Sequence, residues 1–176
     1  TPFKWYKSFA FGGGVNDPLI ISWPDGIDGA GEIRNQFCHV SDIAPTVLDV
    51  LGVRKPDTVR GVTQRPYQGQ SLAYTFGAKG ALEPARKHVQ YFEQAGSRGI
   101  YKDGWKAIAR HDYGADYLKD TWELYNVSED FSECHDLAAE HPDKLEELKA
   151  LWYVEAGKYG VLPMGPGPYL LATPEQ

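Results

Sequence analysis

A chain of 176 residues, 42% hydrophobic and 13% aromatic, is globular rather than disordered, and suffices for one domain or for part of a larger domain plus a small one. A net charge of −6 without a Lys/Arg-rich patch excludes nucleic acid from the expected partners. No apolar run approaches membrane-spanning length, so no transmembrane segment is expected, and the first residues lack the basic-then-apolar order of a signal peptide.

In chain order, the first element is the apolar run Pro18 to Trp23 between Asp17 and Pro24, which predicts a strand over 18–23 covered on both faces. The polar loop Asp25 to Asn35 leads to a helix over 42–51, with Ser41 or Asp42 as N-cap and Pro45 in its first turn. Ile43, Val47, Val50 and Leu51 recur at helical spacing, and Gly52 suits the left-handed position that ends it. Arg54 to Pro84 is rich in Gly, Pro, Gln and Arg without a sustained period. It predicts a long surface connection with a short helical turn near Gln70 to Tyr74. Beyond it the pattern becomes antiparallel. His88 to Gln94 alternates, Ile100–Lys102 and Trp105–Ile108 flank the type I′ hairpin pair Asp103-Gly104, and Trp122 to Val127 supplies a further strand. Pro142 opens a helix over 142–157 with Leu145, Leu148, Trp152 and Ala156 on one stripe. Strands closed by one amphipathic helix predict a small α+β subdomain. The tail from Pro163 is expected to be extended or poorly ordered.

Few side chains suggest chemistry by spacing alone. Cys38 and Cys134 fit no metal-ligand spacing, and both are read as buried, inert thiols. His39, His88, His111, His135 and His141 lie in separate elements without paired spacing, so no metal site is assigned to them. Glu129-Asp130 and nearby Glu133 lack the ligand order and central glycine of a calcium loop and are read as a solvated turn. Trp105 and Trp122 belong to the core beneath the helix rather than to a sugar platform.

Three ordered blocks carry a sharper signal. The first is W-Y-K-S-F-A-F-G-G-G-V-N-D-P-L-I-I-S-W-P, from Trp5 to Pro24. The second is Asp42-Ile43-Ala44-Pro45-Thr46-Val47-Leu48, closing with Leu51-Gly52-Val53. The third is W-E-L-Y-N-V-S-E-D-F-S-E-C-H-D-L-A, from Trp122 to Ala138. Together they resemble the C-terminal portion of the sulfatases, the arylsulfatase branch of the alkaline-phosphatase-like superfamily. One departure is visible: Asn16 stands where many sulfatases carry an arginine after the Gly pair.

The resemblance implies an α+β chain that completes a sulfatase α/β fold: the last core strand and helix, then a small antiparallel sheet packed by a C-terminal helix. Residues 1–60 would end the catalytic domain, 61–86 connect, 87–160 form the subdomain and 161–176 the tail. It further implies hydrolysis of sulfate esters by a formylglycine nucleophile, with calcium or another divalent cation. Neither Cys38 nor Cys134 lies in the C-x-P-x-R context of that nucleophile, so both nucleophile and metal are expected in an upstream catalytic segment, and this chain alone is expected to be inactive. Lys7, shortly before Gly12-Gly13-Gly14, matches the lysine that contacts the sulfate oxygens; Lys4 is read as a surface charge. Two other classes stay open: a non-catalytic interaction or oligomerisation module, and a related phosphomonoester or phosphonate hydrolase. Leu19-Ile20-Ile21, taken out of a parallel sheet, would expose apolar strand edges and favour a homo-oligomer.

Overall fold

The computed structural model describes residues 2–29 and 31–165. Its elements are a one-turn helix α1 (Gly12–Val15), helix α2 (Ile43–Val50), the short strands β1 (Thr58–Val59) and β2 (Val62–Thr63), strands β3 (Val89–Gln94), β4 (Ser97–Lys102), β5 (Trp105–Ala109) and β6 (Trp122–Asn126), and helix α3 (Pro142–Lys158). Contacts divide the chain into two units: residues up to Leu19 together with those from Val89 onward, and Ile20–His88.

In the first unit, β3 to β6 form an antiparallel sheet in sequence order. Both tight hairpins use paired left-handed residues: Asp103-Gly104 at φ +47° and +86°, and Ala95-Gly96 at φ +50° and +90°. The first pair is a turn signature in the sequence. The second is not, because alanine in that conformation carries no propensity signal, and β4 extends from the expected Ile100 back to Ser97.

The sheet is covered on both faces. Strand alternation sends Ile100, Ala107, Ala109, Trp122 and Leu124 to one side, where Leu148, Trp152 and Ala156 of α3 close the core. The helix begins at Pro142, as expected of a proline at N1, and the Trp152 indole N–H donates to Phe92 O at 3.0 Å. On the opposite side Ile108 and Tyr125 receive Ala10 and Phe11, both essentially inaccessible to solvent. The residues up to Leu19 therefore group with the antiparallel sheet. The reason is apolar: Phe9, Ala10 and Phe11 bury the face of the sheet opposite α3.

Gly99 makes this seating possible, since a Cβ there would lie 2.8 Å from the Ala10 Cβ. Gly99→Ala is expected to cost about 1–3 kcal/mol in urea denaturation, with partial recovery on adding Ala10→Gly. An unchanged midpoint would mean that the segment is not packed on the sheet.

The expected strand over 18–23 joins no ladder among the described residues. Ile20 is 89% exposed, and Leu19, Ile21 and Trp23 are also exposed. An apolar run becomes a strand only beside partners that satisfy its N–H and C=O groups.

In the second unit the D-I-A-P-T block holds α2 in place. Asp42 is completely buried, accepts from the backbone N–H groups of His39 and Gln70 at 2.8 Å each, and pairs with the Lys87 ammonium at 3.0 Å. The Thr46 hydroxyl donates to Asp42 O and accepts from Leu72 N–H. Asp42 is the N-cap residue of α2, as expected; a 3-10 turn over Val40–Asp42 precedes the helix, and His39 caps that turn by accepting from Ser41 N–H. The connection carries the β1–β2 hairpin and 3-10 turns at Ala73–Thr75 and Gly80–Leu82. Residues 166–176 of the expected tail lie outside the described residues.

Candidate functional site

The segment Phe3 to Phe11 folds back onto the backbone of α1. Gly13 N–H donates to Lys4 O at 2.8 Å. A Cβ on Gly13 would lie 2.0 Å from Trp5 O, and one on Gly14 would lie 2.1 Å from Phe9 O. Only glycine lets the two backbones approach this closely. The segment accepts unusual dihedrals in return: Trp5 and Ser8 stand at φ +59° and +79°. Trp5 and Phe9 rings pack at 4.8 Å, and Tyr6 meets Phe9 edge-on at 5.4 Å. Between these ring contacts Lys7 is exposed, with no hydrogen-bond or ion-pair partner among the described residues.

The Trp122–Ala138 block supports this segment from below. Its alternation sorts residues by face: Trp122 and Leu124 enter the core under α3, whereas Glu123 and Tyr125 point toward the N-terminal segment. There the Lys4 ammonium donates to the Glu123 carboxylate at 2.6 Å and to the Tyr125 hydroxyl at 2.8 Å, and sits over the Phe11 ring at 5.1 Å. Lys4 is thus an internal tie rather than the expected surface charge. Burial, followed by the bond that Tyr125 donates to Glu123, pushes the phenol pKa well above its ordinary value.

Glu133 also corrects the sequence reading. It is 2% exposed, not solvated: it accepts from Gly12 N–H at 2.7 Å and from the Lys106 ammonium at 2.7 Å. Burial lowers the Lys106 pKa, against the raising effect of Glu133. Asp130 shapes the turn that delivers Glu133, accepting from the N–H groups of Cys134 and His135. Asp136 accepts from Leu124 N–H and Ala138 N–H and fastens the end of the block to β6. The acidic residues of this block are therefore braces for α1 and the Lys7 segment.

One cluster gave no sequence signal. Arg98 in β4 is fully buried, with its guanidinium 2.5 Å from Asp120 and 4.9 Å from the Trp122 ring centroid. Asp120 also receives His111 Nδ1 at 2.9 Å, and the His111 ring stacks on Tyr117 at 3.6 Å. This ties the β5–β6 connection to the sheet. Sequence alone assigns an arginine to the surface, and only the carboxylate across the fold permits its burial.

The remaining candidates stay apart. Cys38 is half-buried, and burial raises its thiol pKa. Cys134 is exposed, contrary to the expected burial, because it lies in the Asp130 turn rather than under the helix. Among the described residues no three His, Cys, Asp or Glu side chains converge to hold a metal ion. No described helix is long and apolar enough to cross a membrane.

A family model described as N-sulphoglucosamine sulphohydrolase, C-terminal, matches residues 2–152. An uncharacterized sulfatase of Schizosaccharomyces pombe is 32% identical over 169 residues, covering 92% of this chain and 28% of the relative. Arylsulfatase K of Danio rerio is 29% identical over 151 residues, 84% of this chain and 27% of the relative. The solved structure of BT4656 in complex with its substrate D-glucosamine-2-N,6-O-disulfate superposes with a TM-score of 0.59 at 26% identity, over 83% of this chain and 29% of the other. The chain thus spans between a quarter and a third of the length of these proteins.

Proposed function

Because the chain belongs to the family of N-sulphoglucosamine sulphohydrolase C-terminal domains and so to the sulfatases, we propose that it completes a sulfuric ester hydrolase and supplies Lys7 to the sulfate of the substrate. The observation that carries the proposal is the combination at Lys7. An exposed ammonium with no partner among the described residues stands in a segment whose backbone packs directly on Gly13 and Gly14 of α1, and α1 is tied through Gly12 to the buried Glu133–Lys106 pair. Close backbone support beneath such a charge suits transition-state stabilisation, because the donor must already be placed when charge develops.

In hydrolysis of a sulfate ester the S–O bond to the alcohol breaks and the alkoxide takes up negative charge. A fixed ammonium on the sulfate oxygens or beside that alkoxide lowers the barrier and orients the ester. Lys7 is assigned that contact. The formylglycine nucleophile and the divalent cation are assigned to other segments of the enzyme, as the sulfatase family implies, because neither Cys38 nor Cys134 lies in a C-x-P-x-R context. The substrate class is a sulfated sugar, the chemistry bound by the structurally similar BT4656.

The 176-residue chain by itself is expected to show no turnover of 4-nitrophenyl sulfate and to self-associate through the exposed Leu19 to Trp23 run. The enzyme that contains it is expected to hydrolyse the same ester. Activity of the isolated chain that survives Lys7→Ala would overturn the assignment. So would an enzyme that cleaves 4-nitrophenyl phosphate in preference to the sulfate.

A further inference from the structure

Two exposed side chains at the Trp5 ring, two residues before Lys7, are left unused by the core and by the proposed sulfate contact. Tyr6 is 60% exposed, with one edge-on contact to Phe9. Arg110, at the end of β5, lays its guanidinium 5.3 Å from the Trp5 ring centroid. Tyr6 reaches the same indole at 6.3 Å, so one ring sets the position of both. We propose that Tyr6 and Arg110 form a second subsite next to Lys7, where Tyr6 stacks on the sugar ring of the sulfated substrate and Arg110 binds a further anionic group on that sugar. The proposal rests on the sulfatase reading of Lys7 and adds to it a preference for sugars that carry more than one anion.

The backbone points the same way. Trp5 and Ser8 flank the Tyr6-Lys7 pair and both sit at positive φ. Bulky residues hold that conformation at a cost in free energy, and it persists where a site requires the side chains it presents. An indole at a position that glycine would occupy without strain is explained if its ring must carry Arg110 and Tyr6.

The chemistry matches the occupant. The C–H face of a pyranose is apolar and stacks on an exposed phenol ring. The planar guanidinium offers paired N–H donors that fit the oxygens of a sulfate or carboxylate. Arg110 pairs with Asp112 at 3.1 Å, but the Asp112 side chain is 72% exposed, so water screens that pair and an anionic ligand can displace it. Lys7 and Arg110 together supply positive charge on a chain whose net charge is −6, which favours an anionic sugar over a neutral one.

The test is direct binding to the whole enzyme, followed by tryptophan fluorescence, of a hexosamine 6-sulfate with and without an additional N-sulfate. Wild type is expected to bind the disulfated sugar about tenfold more tightly than the monosulfated one. Arg110→Gln should remove most of that difference, and Arg110→Lys should retain part of it. Tyr6→Ala should weaken both sugars about tenfold, whereas Tyr6→Phe should stay within about threefold of wild type. Both side chains are solvent-exposed, so circular dichroism should show the variants folded. Equal affinity of the wild type for the two sugars, or variants that bind like wild type, would overturn the subsite. Failure of the underlying reading looks different: Lys7→Ala would then leave turnover of 4-nitrophenyl sulfate, an ester without a sugar, intact.

Discussion

Lys7→Ala, made in the whole enzyme, is expected to lower kcat/KM for sulfate-ester hydrolysis by about two to three orders of magnitude, the scale of losing one preorganised charge contact. The expectation follows from geometry. Lys7 is exposed in a segment whose backbone packs closely on Gly13 and Gly14, and its ammonium has no partner to leave among the described residues. The loss should fall mostly on kcat, since the charge Lys7 meets is larger in the transition state than in the bound ester. Lys7→Arg should recover only part, because a planar fork on a longer side chain does not place its charge at the ammonium position. The measurement is steady-state kinetics with circular dichroism as a control for folding. A loss smaller than about threefold in a folded variant would return Lys7 to an ordinary surface charge.

The second large effect concerns stability. Glu133→Gln should destabilise the fold by about 3–5 kcal/mol, because it strips the counter-ion from a buried ammonium. The new amide oxygen can accept from Gly12 N–H or from the Lys106 ammonium but not from both, so the loss includes a hydrogen bond as well as the charge pair. Lys106 is 5% exposed, and without Glu133 it must shed its proton or leave the interior. Adding Lys106→Met should restore a large part of the stability, as replacing both partners with uncharged groups removes the desolvation cost.

The pH dependence has a definite sign. Burial already lowers the Lys106 pKa in the folded protein, and removing Glu133 lowers it further. Between that depressed value and the ordinary lysine value the unfolded chain binds more protons than the folded one, so stability rises with pH across the window. The deficit of Glu133→Gln against wild type should therefore shrink as the solution is made more alkaline. Urea denaturation at neutral and alkaline pH measures it, and a deficit that grows with pH would contradict the buried-pair account.

The sequence by itself determined those features that depend on short-range periodicity and turn chemistry. The alternation of Trp122 to Val127, the Asp103-Gly104 hairpin, Pro142 at the start of α3 and the stripe Leu145, Leu148, Trp152 and Ala156 each encode an element within a few residues. The three ordered blocks likewise determined the family, because residue identity at fixed spacing survives without knowledge of the fold. Tertiary structure alone decided which charges are paired across the fold. Lys4, Arg98, Lys106, Glu123, Glu133 and Asp120 read as surface residues by type, and each finds its counter-charge at least 22 residues away in the chain. It also decided that Phe9, Ala10 and Phe11 cover the sheet and that Pro18 to Trp23 joins no ladder. A charge is buried, or a strand paired, only when a partner arrives from elsewhere in the chain. That partnership is a property of the fold, and local sequence carries no record of it.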